Sequence, residues 1–136
     1  MPPTPQYAIF LIVRVFKNKR FSRFADKEGI TDGELLELVD RLEAGQAEAD
    51  LGGNVYKLRT ARQGEGRSGG FRVIVFYRSE ERTFFVHGFA KSDMSNISQR
   101  ELSVFRIDAK KDLALTDEQI QVRLKNRTLI EIFEEA

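Results

Sequence analysis

Cysteine and tryptophan are absent from this sequence, and histidine occurs once. No disulfide framework, thiol nucleophile or cysteine-based zinc site can therefore be built. A single imidazole also excludes a paired-histidine acid–base site. Proline is scarce, and all three copies fall within the first five positions, which read as a loose leader. Long apolar runs are missing: the longest, residues 8–13, has six residues, against the roughly 18 that a membrane span needs. Basic residues follow that run instead of leading it, the reverse of a secretory signal. No membrane partner is expected, and cytoplasm is the default compartment. HExxH, GxSxG, Walker A and dinucleotide fingerprints are all lacking, so no cofactor is expected. Ser68-Gly69-Gly70 is too short for a phosphate loop and no helix follows it.

What is present is enough for one core. The chain has 136 residues, 41% hydrophobic and 32% charged, which predicts a single domain over 1–136. Its core is expected over residues 7–113, with residues 114–136 as a C-terminal extension. The formal net charge of +1 hides a segregation along the chain. Residues 14–23 hold five bases and no acid, residues 26–50 nine acids and two bases, and residues 55–91 eight bases and three acids. Such a chain can offer a basic face to a polyanion, although ordinary solvated helix and hairpin faces give the same composition.

Residues 7–16, rich in Ile, Val and Phe, read as a buried strand. Residues 17–27 place Phe21, Phe24 and Ala25 at helical spacing between Arg20, Arg23 and Lys27, an amphipathic helix that Gly29 ends. Thr31 and Glu34 have the spacing of a capping box, and Leu35, Leu38, Val39 and Leu42 follow at three- and four-residue steps. A helical hairpin results. After Gly52-Gly53-Asn54 the period becomes two, with Lys57 and Arg59 on one strand face. Residues 61–70, with four glycines, read as a mobile basic loop. Residues 71–78 and 82–90 are strands, apolar in both phases as in a sheet covered on each side. Ser98 and Glu101 open a helix with Leu102, Phe105, Ala109 and Leu113 inward, Thr116 opens a shorter one, and residues 129–133 form an apolar tail. The order β-α-α-β-β-β-α predicts an α+β fold: a helical hairpin packed on one mainly antiparallel sheet, with an extra C-terminal helical segment.

Acids are scarce and at turns within residues 55–91, which argues against converging metal ligands. Cations remain. If the strands pair antiparallel, Arg72 at the start of one and Lys91 at the end of the next share a sheet edge, near Lys57 and Arg59. Fixed guanidinium donors suit a phosphodiester whose charge grows in the transition state. Clustered cations also lower the pKa of a neighbouring lysine, fitting it for proton transfer. The plainer reading is that Lys57 and Arg59 dress an exposed strand face. His87, with Phe85 and Phe89 as its alternation partners, is either packing or an acid–base group. Lys17, Lys19, Arg20 and Arg23, with Arg62 and Arg67, are the candidate nucleic-acid contacts.

The order of elements and three segments, Val-Tyr-Lys-Leu-Arg (55–59), Ser-Gly-Gly-Phe-Arg-Val-Ile (68–74) and Phe-Ala-Lys-Ser-Asp (89–93), resemble the RelE superfamily of type II toxins, nearest its HigB-like branch. The resemblance covers residues 9–113. It implies a metal-independent endoribonuclease that cuts messenger RNA at the ribosome and inhibits translation, with a cognate antitoxin as partner in a hetero-oligomer. It also implies roles: Arg72 for transition-state charge, Lys57 or Arg59 for proton transfer and phosphate orientation, Lys91 for a substrate phosphate. The sequence departs from the family where an arginine often follows the Lys91 position and a tyrosine comes a few residues later. Ser92 and a stretch without tyrosine stand there, which draws attention to His87 as a substitute acid. The rival readings are a ParE-like toxin that poisons gyrase by protein contacts, disfavoured by the retained basic set, and a non-catalytic module binding nucleic acid or antitoxin.

Overall fold

The computed structural model describes residues 13–134 except 63–65, 80 and 91–96, with backbone alone at 61–62 and 66–69. The described residues form one six-stranded sheet between two helical layers, an α+β fold. In chain order the elements are β1 (Arg14–Asn18), α1 (Lys19–Glu28), α2 (Asp32–Glu43), β2 (Ala49–Asp50), β3 (Val55–Arg62), β4 (Gly66–Arg78), β5 (Arg82–Ala90), α3 (Gln99–Leu113), α4 (Asp117–Lys125) and β6 (Leu129–Ile132). The sheet order is β2-β3-β4-β5-β1-β6. Neighbours pair antiparallel except β1 with β5, which run parallel. No helix among the described residues is long and apolar enough to cross a membrane.

The helix starts follow local chemistry. Asn18 accepts a hydrogen bond from the Phe21 N–H at 2.7 Å and so caps α1. This cap shifts the expected helix start: Lys17 belongs to β1, and the helix begins at Lys19. Thr31–Glu34, Ser98–Glu101 and Thr116–Gln119 are reciprocal capping boxes. Gly29 ends α1 at φ +72°, the left-handed region where glycine is unstrained. Beyond residue 113 the expected apolar tail is a strand: β6 pairs with β1, Leu129 opposite Asn18 and Ile132 opposite Val15. The Arg14 guanidinium closes this edge with two 2.8 Å hydrogen bonds to Glu131. The glycine-rich segment expected as a loop is largely strand too, with Arg62 paired to Gly66 across the hairpin end.

Each face of the sheet buries its own cluster. On one, Phe21, Ala25, Leu35, Leu38 and Leu42 of the helical hairpin meet Leu58, Val73, Val75 and Phe85. On the other, Ala109, Leu113 and Ile120 of α3 and α4 cover Phe16, Ile74, Phe76 and Phe84. Burying each such large apolar side chain contributes about 1.5–3 kcal/mol before entropy is counted. Burial on both faces explains why β4 and β5 are apolar in both phases.

Two close approaches fix how the sheet's edge and its helical cover sit. The Arg106 side chain of α3 donates to the Leu51 carbonyl and lies on the Gly52–Gly53 turn, where a Cβ on Gly53 would stand 3.0 Å from Arg106 Cγ. Both glycines have positive φ, so the turn needs them twice over. It folds β2 back on β3, Ala49 opposite Lys57. On the other face the Phe24 ring covers Gly88, where a Cβ would come within 2.3 Å of Phe24 Cε2. Phe24 is edge-on to Phe71 at 5.5 Å, which leaves it little room to retreat. Gly88→Ala is expected to destabilise the fold by about 1–3 kcal/mol through overpacking. Urea unfolding reads this as a lower midpoint with unchanged slope, and an unshifted midpoint would contradict the packing of Phe24 on Gly88.

Candidate active site

The register of three strands assembles the cations. Arg59 of β3 pairs directly with Arg72 of β4, and Arg72 with Phe89 of β5. One row along the same face, Lys57 pairs with Ile74, and Ile74 with His87. Residues opposite one another in a ladder share a face, so Lys57, Arg59, Arg72 and His87 all project toward the α3 side. The expected antiparallel arrangement around Arg72 is present, with Phe71 opposite Ala90. Lys91 itself lies outside the described residues.

Two guanidinium groups in direct register repel each other. Glu48, immediately before β2, resolves the conflict. Its Oε2 accepts from Arg59 Nε and Nη2 at 3.0 and 2.9 Å. Its Oε1 lies 3.0 Å from Arg72 Nε and 3.6 Å from Lys57 Nζ. Burial alone would raise the Glu48 carboxyl, but the Arg59 hydrogen bonds and the charges of Arg72, Lys57 and Arg59 outweigh it and hold it below its ordinary 4.5. The Glu48 N–H donates to the Lys57 carbonyl at 2.9 Å, which ties the backbone of this residue to β3.

Arg72 is the most enclosed of the cations, its side chain 9% exposed against 26% for Lys57 and 41% for Arg59. Its Nη1 is buried with no hydrogen-bond partner among the described residues. A buried unpaired N–H costs about 1–3 kcal/mol, more on a charged group, so its persistence calls for an explanation. An anionic ligand that supplied the missing acceptor would provide one.

His87 reaches this face through a bulge. Ile74 pairs with His87 while Val75 pairs with Phe85, leaving Val86 as an extra residue in β5. Simple alternation groups His87 with Phe85. The bulge separates them, sending Phe85 to the helical-hairpin core and His87 toward Phe89 and Phe105, with ring centroids 5.8 and 5.7 Å away. Desolvation lowers the His87 pKa below its ordinary 6.5, with Arg20 adding to the effect and Glu101 opposing it. The imidazole is therefore neutral at pH 7 and able to accept a proton.

The expected RNA contacts separate. Lys19, Arg20 and Arg23 are exposed along α1, and Arg20 is close enough to His87 to act on its charge. Lys17 points into the helical-hairpin side, 8% exposed, its Nζ 2.8 Å from Asp32 Oδ1. The pair ties β1 to the start of α2 and is distant in role from a surface phosphate contact. Only the backbone of Arg62 and Arg67 is described.

Sequence reasoning missed Glu48, which is submerged in an acidic stretch. The signal that could have found it is the Gly52-Gly53-Asn54 turn, since folding the chain there brings Glu48 back toward Lys57 and Arg59. The assembled group has three cations around one carboxylate, with the imidazole on the same sheet face two strands from Lys57. Fixed cations in such a group can hold a phosphate, and lysine and histidine are residue types able to transfer protons.

No curated protein matches the chain. A family described as the RelE toxin of the RelE/RelB toxin–antitoxin system matches residues 13–132, a span that takes in α4 and β6. The matched span contains the whole cation cluster and the strands that carry it. This chain therefore belongs to the RelE toxin family, the toxin half of a toxin–antitoxin pair whose partner is an antitoxin.

Proposed function

We propose that this toxin is a metal-independent endoribonuclease that cuts messenger RNA on the ribosome and so inhibits translation in the cytoplasm. The observation that carries the reading is the Nη1 of Arg72, buried and unpartnered among the described residues, within a cluster of three cations. In such a reaction the ribose 2′-hydroxyl attacks the adjacent phosphorus and the bond to the 5′-oxygen breaks. The products are a 2′,3′-cyclic phosphate and a 5′-hydroxyl, so one proton leaves the nucleophile and one reaches the leaving group. No other reactant is consumed.

Arg72 neutralises the charge that develops on the phosphoryl oxygens, and Arg59 orients the phosphate. An arginine does not deprotonate in proteins, so proton transfer falls to Lys57 and His87. They occupy opposite ends of one register row across three strands, about 10 Å apart at the backbone. That spacing suits groups on either side of an in-line displacement. Neutral His87 takes the 2′-hydroxyl proton and the Lys57 ammonium gives a proton to the leaving 5′-oxygen. Lys91 contacts a flanking phosphate, and Lys19, Arg20 and Arg23, with Arg62 and Arg67, guide the RNA backbone.

Induced expression of wild type and Arg72→Ala in bacteria, followed by growth and by mapping of messenger RNA 5′ ends, tests the reading. Wild type is expected to arrest growth with new ends inside translated regions, and the variant to lose about 10²–10³-fold in cleavage, as when a transition-state donor is removed. Arrest with intact transcripts would transfer the proposal to a protein target such as gyrase.

The His87 role has its own test. Because burial depresses its pKa, the cleavage rate should be flat near pH 7 and fall only as the pH drops below 6.5 toward the lowered value. His87→Asn should remove that limb along with most of the rate. A variant that keeps the limb would return His87 to a packing role.

A further inference from the structure

The three cations of the cluster share one carboxylate, that of Glu48. We propose that Glu48 is a positioning residue: its carboxylate gathers Arg59, Arg72 and Lys57 from their inner sides and aims their remaining N–H groups at one phosphodiester. The inference rests on the ribonuclease reading and names what makes that site cohere.

Three observations support it. Glu48 accepts hydrogen bonds from Nε and one terminal nitrogen of Arg59 and forms an ion pair with Arg72 at Nε, the nitrogen nearest the stem. It leaves Arg72 Nη1 without a partner among the described residues and stands 3.6 Å from the Lys57 ammonium, beyond a close hydrogen bond. A carboxylate competing with the substrate would instead take the outermost donors. Second, Arg59 and Arg72 are register partners, so without a counter-charge between them the two guanidinium groups would splay apart. Third, the residue is not free to swing. Its N–H is bonded to the Lys57 carbonyl, Ala49 after it is paired in β2, and the turn beyond is clamped by Arg106. The acid sits on the same sheet as the cations it orders, as preorganised support should. One negative charge against three leaves the group doubly positive, so it still attracts a phosphodiester.

The test separates aim from attraction. Wild type, Glu48→Gln and Arg72→Ala are compared for cleavage of ribosome-bound messenger RNA and for binding of a 2′-deoxy-substituted RNA that cannot be cut. Glu48→Gln is expected to cut about 10- to 100-fold more slowly, the loss that misalignment produces, while binding the uncleavable RNA as tightly as wild type or more tightly. Glu48→Ala should behave alike and regain rate when formate is added to refill the carboxylate position. Thermal melts confirm that the variants are folded. Parallel loss of rate and binding would make Glu48 merely structural and overturn the inference. A gain in both would make it a competitor for the site, and an unchanged rate would also overturn it. Failure of the wild type itself to cut RNA is a different result: it sinks the ribonuclease reading, and this inference with it.

Discussion

Ile74 pairs with Lys57 on one side and His87 on the other, and two residues earlier Arg72 pairs with Arg59 and Phe89. Those two rows of backbone hydrogen bonds decide the composition of a sheet face. A slip of one residue in β4 would turn Arg72 and Ile74 into the helical-hairpin core and expose Val73 and Val75 to the opposite layer. The apolar clusters on both faces prevent that slip. The placement of the cations is thus a by-product of packing: the register that buries Val73, Val75, Ile74 and Phe76 is the same one that brings Arg72 to Arg59.

Register brings like charges together, and the structure answers with acids drawn from elsewhere in the chain. The segregation visible along the sequence does not survive folding as separate faces. Glu48 crosses to Arg59 and Arg72, Asp32 to Lys17, Glu131 to Arg14 and Asp117 to Arg82. These pairs differ in consequence. The Lys17–Asp32 bond tethers a nearly buried ammonium, whose loss would leave an uncompensated charge in the core. The Glu48 contacts sit at a partly open site and leave donors unused.

Features with local causes were legible in the sequence. The capping boxes at Thr31, Ser98 and Thr116 could be placed because the side chain that ends a helix is only three residues from the N–H it satisfies. Strand β5 was readable to the residue because turn residues bound it and apolar residues fill it. Lys57, Arg59 and Arg72 could be grouped from alternation and an antiparallel hairpin. Features that depend on a distant partner were not legible. One extra residue at Val86 moves His87 to a different face from Phe85, and only the pairing with β4 reveals it. The run at Leu129 looks the same whether it lies loose or pairs, and its partner is the first strand of the sheet. Glu48 carries no signal of its own in a stretch, residues 26–50, where nine of 25 residues are acidic.

The position of β1 has a consequence for biosynthesis. This strand is held between β5, its parallel neighbour, and β6, so its two edges are satisfied by segments made much later. The hairpins of β3, β4 and β5 close locally as they leave the ribosome, whereas β1 waits for both its neighbours to be translated. A growing polypeptide therefore carries β1 with one edge open until residues 129–132 appear. The last of the described strands to be made, β6, therefore completes the sheet at the end opposite β2 and β3, farthest from the cations of β3 and β4.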